Sequence, residues 1–241
     1  MTTCNSKNHG IRRIDIKNKE LLSILDGYLK IRTDDQKRFE EEFHCTAKDS
    51  KSEDWCSDEY LQKIINQGRR HEGYPDNMKG YEIRINQKQH EIFSEKSYKN
   101  TESFLQRTSR LKQLGDLNTQ MMNFLCCRSN ALHAVYPPGG YIAWHNNANA
   151  AAWNFIFTYS ETGEGSFDYW DIEKGEIARM HDKPGCWTLK AGYFGHYGEP
   201  DKLFYHAAST KCWRHTVSFT FDISEISEEW REEIIDEISS E

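Results

Sequence analysis

The sequence predicts an α+β protein, with a mainly helical N-terminal portion packed on an all-β sandwich or barrel and an acidic helix at the C-terminus. Three observations predict it. Six of the seven tryptophans and nine of the fifteen glycines lie from Gly139 onward. In that half, short aromatic and β-branched runs alternate with Gly, Asp and Pro turns, the pattern of many short strands. Before about Cys127 the apolar residues instead recur at helical spacing. The organisation expected is 1–130 helical, 131–222 all-β and 223–241 an acidic amphipathic helix.

Each element has its own signal. The run from Lys19 to Leu29 has apolar residues on one helical face, interrupted by Gly27. Asp34 to His44 opens on an acidic pair and carries Phe39 and Phe43 four residues apart. Asp58 to Gln67 stops at Gly68, a helix terminator. Thr101 to Cys126 is one long helix, or two broken near Gly115–Asp116. Gln67 to Lys88, with Gly73, Pro75, Asp76 and Gly80, reads as a loop-rich mobile lid. Strands are expected near 131–136, 141–146, 152–159, 166–171, 186–190, 203–208 and 213–222. Turns separate them at Pro137–Gly140, Glu161–Gly165, Asp182–Gly185 and Glu199–Asp201. In the tail, Ile223, Ile226, Trp230, Ile234 and Ile238 form one apolar stripe among acidic residues. That stripe packs on the barrel or makes a homodimer contact.

Composition removes several function classes. At 241 residues the chain can bury a core without disulfide staples. Aromatics at 13% exclude a disordered chain, and no apolar run reaches the roughly 18 residues that a membrane span needs. The first residues lack an apolar signal region, so a cytoplasmic location is expected. The seven cysteines form no Cys-x-x-Cys, which fits reduced structural thiols. The net charge of −7 sits almost wholly in the tail: from Asp222 onward there are nine acids and one base, Arg231, giving −8, so the remainder sums to +1. A nearly neutral body argues against duplex nucleic acid as a partner.

The chemistry concentrates in Tyr136-Pro-Pro-Gly-Gly-Tyr-Ile-Ala-Trp-His145-Asn-Asn147. Strand alternation puts Tyr141, Ala143 and His145 on one face and Ile142 and Trp144 on the other. Downstream, Leu203-Phe-Tyr leads into His206, and Arg214 follows eight residues later. In the last strand Arg214, Thr216, Ser218 and Thr220 share a face, and His215, Val217, Phe219 and Phe221 share the opposite one. The apolar face packs under the helices. An arginine among hydroxyls suits an interior carboxylate pocket, because its planar fork matches a carboxylate bidentately.

In this order and spacing the chain resembles the iron(II)- and 2-oxoglutarate-dependent oxygenases over about 131 to 222. Their pattern is Tyr-x-x-Gly-x5-His-x-Asp, then a Gly-rich strand, a second His and Arg-x-Ser. This sequence has Tyr136, Gly139, His145 and Asn147, then Gly163 and Gly165, His206, and Arg214 with Thr216 in the serine place. The resemblance implies a double-stranded β-helix, a jelly-roll variant. It implies iron(II) held by His145 and His206, with Asn147 in the third ligand position. It implies 2-oxoglutarate gripped by Arg214 and Tyr136, with Thr216 and Ser218 assisting, and dioxygen as the oxidant. The activity implied is a dioxygenase, with hydroxylation and release of succinate and CO2 foremost.

The departure is Asn147, where the family has an acid. None of the ten histidines is followed two residues later by an acid. Four accounts of the third position stay open. Asn147 ligates through its amide oxygen, or a distant carboxylate such as Asp168 or Asp171 takes its place. Water or halide fills it, or metal binding is lost. In the last case the chain is a non-catalytic jelly-roll binding module. A cupin-type metal enzyme would show His-x-His, which is absent. His215 reads as structural, and His181 and His196 as turn residues. The prime substrate is left open among a protein side chain, an amino acid, a nucleobase and a small molecule.

Overall fold

In the computed structural model the described residues are 11–67, 75–83, 101–127, 129–148, 151–221 and 228–241, with side chains from residue 106 in the helix that begins at 101. Six helices are described: α1 (Lys19–Thr33), α2 (Gln36–Glu42), α3 (Ser52–Trp55), α4 (Asp58–Asn66), α5 (Thr101–Leu125) and α6 (Glu228–Ser239). The described strands are β1 (Arg12–Asp15), β2 (Met78–Lys79), β3 (Tyr81–Glu82), β4 (Ser129–Tyr136), β5 (Tyr141–His145), β6 (Ala152–Ser160), β7 (Gly165–Asp171), β8 (Glu176–His181), β9 (Trp187–Phe194), β10 (His206–Thr210) and β11 (Arg214–Phe221).

The fold is α+β with two antiparallel sheets. The larger runs β1-β9-β6-β11-β4-β3 and the smaller β2-β5-β10-β7-β8. From β4 to β11 the chain passes back and forth between the sheets, with β7 and β8 as a hairpin in the smaller one. This winding is that of a double-stranded β-helix, with a cavity between the two sheets.

Alternation along β11 organises the larger sheet. Val217, Phe219 and Phe221 enter the main core with Leu21, Leu25, Leu114, Met121 and Leu125 of α1 and α5. Phe155 and Phe157 of β6 and Leu189 and Ala191 of β9 share that face. Gly27, which interrupts the apolar stripe of α1, does not break the helix. A side chain there would meet Leu117 of α5 at 2.6 Å, so Gly27 is where the two helices approach. α5 likewise runs unbroken through Gly115. The outer face of the smaller sheet is covered by α4, whose Tyr60, Leu61 and Ile64 pack on Ala143, Trp144 and Ala207.

Helix ends follow local chemistry. Asn18, Asp35 and Ser57 accept from the backbone N–H of Leu21, Arg38 and Tyr60, each capping a helix start. α6 buries Ile234, Ile235 and Ile238 in the main core. The Ile238 carbonyl accepts from the backbone N–H of Lys17 and Asn18. Ile223 and Ile226 of the expected stripe lie outside the described residues.

Several expectations are corrected. β1, β2 and β3 lie in the portion read as helical and extend the two sheets. Residues 78–82, read as part of a lid, are two strands paired with β5 and β4; 68–74 and 84–88 lie outside the described residues. The strand expected at 203–208 begins only at His206. β8 was not anticipated, and it includes His181. Among the described residues no helix is long and apolar enough to cross a membrane.

Phe219 is fully buried at the centre of the core. Phe219→Ala is expected to cost about 3–5 kcal/mol in denaturant unfolding. Ile172→Ala, at a 45% exposed position, is expected to stay within about 0.5 kcal/mol.

Candidate metal and co-substrate site

A cavity of about 120 Å³ lies between the sheets. Tyr136, His145, Asn147, His206, Arg214, Thr216 and Ser218 all line it. Its apolar walls come from Met78, Ile142, Ile156, Phe167, Phe194 and Ala208, none of which was singled out as a site residue from the sequence. Apolar walls with a few convergent polar groups are typical of small-molecule sites.

His145 ends β5 and His206 begins β10, and the two are paired residues across the ladder. Their ring centroids are 4.1 Å apart. A register shift sets them there: Ala208 pairs with Ile142, so β5 spends three steps where β10 spends two. This β-bulge overturns the expected alternation. Ile142 lines the cavity with His145, whereas Tyr141 bonds outward to Ser50 and Ala143 and Trp144 pack with α4. Re-aiming a side chain is what a bulge does.

The tautomers of both histidines follow from their partners. His145 Nδ1 lies 2.7 Å from the Ala143 carbonyl, and His206 Nδ1 lies 3.0 Å from that of Phe204. A carbonyl only accepts, so each Nδ1 carries the proton and each Nε2 keeps its lone pair. Burial, together with the neighbouring His145, pushes the His206 pKa well below its ordinary value. His206 is thus held as a neutral donor, the form that metals bind.

Asn147 sits two residues past His145 in the same wall, half-buried. The distant carboxylates do not replace it. Asp168 faces the other side of β7, where Arg179 clamps it at 2.6–3.0 Å. Asp171 is bound by Lys174 at 2.8 Å and accepts from the backbone of the β7–β8 turn. Among the described residues no group of three His, Cys, Asp or Glu side chains is placed to hold a metal ion.

Arg214 opens β11, opposite Tyr136 of β4 and Ser160 of β6. It is 2% exposed, and its guanidinium lies 5.7 Å from the centre of the Tyr136 ring. Its Nη1 donates to the Thr216 hydroxyl at 2.8 Å, and its Nε donates to Asp182 at 2.7 Å. Nη2 is buried without a hydrogen-bond partner. The other oxygen of Asp182 accepts from Lys190 Nζ at 3.2 Å, and both side chains are buried. Ser218 donates to the Leu132 carbonyl at 3.4 Å. Sequence patterning marks Asp182 only as a turn residue and does not single out Lys190. The available signal was a single lysine on the inward face of the apolar run Trp187–Phe194.

His215 turns away from the cavity. Its Nε2 accepts from Arg32 Nε at 2.8 Å, beneath α1. Asn146 accepts from Ala148 N–H, Asn154 lines the cavity, and Asn149 lies outside the described residues.

No family model matches the chain, and no curated protein matches it. Among solved structures, the chain is similar to a prolyl-4-hydroxylase from Pseudomonas putida. The identity is 13% and the TM-score 0.41, over 89% of this chain and 94% of that one.

Burial works to raise the Asp182 carboxyl, but the Arg214 and Lys190 cations outweigh it and hold it below its ordinary value. Such a carboxylate stabilises the fold above its unfolded pKa of about 4, and the contribution is lost as pH falls through the lower folded value. Unfolding measured from pH 5 down to pH 2 should therefore show a steep acid limb. In Asp182→Asn, whatever its stability at neutral pH, that limb should be shallower.

Proposed function

We propose that the protein is an iron(II)- and 2-oxoglutarate-dependent oxygenase, with hydroxylation of an organic substrate as its reaction. The observation that carries this reading is the convergence of Tyr136, His145, Asn147, His206, Arg214, Thr216 and Ser218 on one cavity. The donor set fits the metal. Two imidazoles and an amide oxygen suit a divalent first-row ion.

In this reading His145 and His206 hold the ion through Nε2, and their carbonyl partners fix the ring orientation. Asn147 supplies a neutral oxygen. Arg214 holds the distal carboxylate of the co-substrate through its buried Nη2. Thr216 accepts from Arg214 and retains its own proton to donate to that carboxylate. Phe167, Phe194 and Ile156 exclude water around the chain of the co-substrate. The chemistry supplied at such a centre is oxidation of a substrate C–H bond by dioxygen, coupled to conversion of 2-oxoglutarate into succinate and CO2. The prime substrate class stays open among a protein side chain, an amino acid and a small molecule.

One observation favours a second reading, a jelly-roll binding module without metal. The described residues offer no anionic third ligand beside the two histidines. Anaerobic titration with iron(II) and 2-oxoglutarate separates the two. The oxygenase reading expects the weak visible charge-transfer band of the metal–keto-acid chelate, abolished in His206→Ala and in Arg214→Ala. No band, with no iron retained at high concentration, leaves the binding module. Within the oxygenase reading, Asn147→Asp adds the missing anionic ligand. It is expected to tighten manganese(II) binding by on the order of tenfold without added oxo acid, measured by calorimetry.

A further inference from the structure

We propose that Asp182 and Lys190 are positioning residues that set both the orientation and the charge of the carboxylate subsite at Arg214. This inference rests on the oxygenase reading and extends it to two residues behind the cavity wall. Neither touches the cavity; both act through the guanidinium.

Orientation comes first. A guanidinium has two edges that can fork onto a carboxylate. Asp182 occupies Nε from behind, and Thr216 occupies Nη1. Nη2 is the donor left without a partner, in a side chain that is 2% exposed. Leaving a buried charged donor unmade is costly, and an incoming carboxylate at the cavity wall would satisfy it. Arg214 therefore presents one direction to a ligand, not two.

Charge follows from the three groups together. Arg214 and Lys190 are cations and Asp182 is an anion, so the buried cluster carries +1. Arg214 with Asp182 alone would be neutral and would attract a carboxylate weakly. Lys190 restores the single positive charge, matched to one carboxylate. Its surroundings on every side are Asp182 from the β8–β9 connection, Arg214 of β11, Arg13 of β1 and the Phe167 ring of β7.

The backbone is built around this cluster. A side chain at Gly165 would meet the Asp182 carboxylate at 2.6 Å, and the Asp182 N–H donates to the Gly165 carbonyl at 2.9 Å. The first residue of β7 thus leaves open the space that Asp182 needs to reach Arg214.

Binding of 2-oxoglutarate and of 2-oxopentanoate, which lacks the distal carboxylate, to the manganese(II)-loaded protein tests the proposal. Lys190→Met should weaken 2-oxoglutarate roughly tenfold and leave 2-oxopentanoate unchanged. Lys190→Arg should restore it. Asp182→Asn keeps an oxygen for Arg214 Nε and removes the competing anion, so it should not weaken 2-oxoglutarate. Asp182→Ala, which frees the guanidinium from its orienting partner, should weaken 2-oxoglutarate and leave 2-oxopentanoate unchanged. No selective loss in Asp182→Ala overturns the orienting role. In the parent, affinity for 2-oxoglutarate should fall as pH rises through about 8, where burial first and then Arg214 bring the Lys190 ammonium down against the pull of Asp182. In Lys190→Met that fall should disappear. Circular dichroism establishes that each variant is folded, and where Asp182→Asn is not, the Lys190 pair decides. Unchanged 2-oxoglutarate binding in Lys190→Met overturns the proposal, as does equal loss of both oxo acids, which marks a merely structural role. Parent protein that binds neither oxo acid overturns the oxygenase reading and this inference with it.

Discussion

The structure depends on the two-sidedness of β11. This strand lies between β4 and β6 in the middle of the larger sheet, and nearly all of it is buried. One set of its side chains, Val217, Phe219 and Phe221, is the floor on which α1 and α5 rest. The other set, Arg214, Thr216 and Ser218, is a wall of the cavity. A period of two makes both roles compatible in one strand, and it makes them inseparable. Register on β6 is continuous over all eight residues, so the hydrophobic core fixes where the arginine points. The site is positioned by apolar packing that takes no part in its chemistry.

That arrangement explains how a charged cluster survives inside a small barrel. Arg214, Asp182 and Lys190 all sit beneath the surface, where desolvation of each ion costs several kcal/mol. They persist because each charge faces an opposite one, and because Gly165 and the β8–β9 connection bring the carboxylate in from behind. On the other side of the same sheet, Arg32 reaches His215 and the rim carboxylate Glu161 at 2.8 Å. The larger sheet therefore carries charged groups on both faces at its Arg214 end.

Much of this was legible in the residues. The alternation of β11 was clear because each face is chemically uniform. β6 was clear because it is buried and apolar, and β4 was clear over its buried half, but β9 was legible only over 186–190 and runs on to Phe194. β8 escaped because Glu176, Arg179 and His181 give it the composition of an exposed edge, and its pairing with β7 is a tertiary fact. β1, β2 and β3 escaped because strands of two to four residues carry too little periodicity to register. At the site, His145, His206 and Arg214 stood out through order and spacing. Asp182 and Lys190 did not, because nothing local links a turn aspartate to a lysine eight residues on; the link is the guanidinium of a third strand. The face of Ile142 was misread because a bulge leaves no mark in an alternating pattern until its partner strand is known.

The bulge in β5 gives the site an unusual grammar of tolerance. Ile142 and His145 are three steps apart, which plain alternation would place on opposite faces, and the bulge is what lets both side chains look inward. Ala143 and Trp144 face α4, outside the cavity, and their identities answer to that helix. Register and identity are thus governed by different neighbours at the same two positions. Removing one of those two residues would leave Ile142 and His145 on one face, still opposite Ala208 and His206, whereas pairing the present residues without the bulge would turn one of the two side chains out of the cavity. Chains of this design are therefore better compared by their pairing register between Gly140 and His145 than by the letters in between.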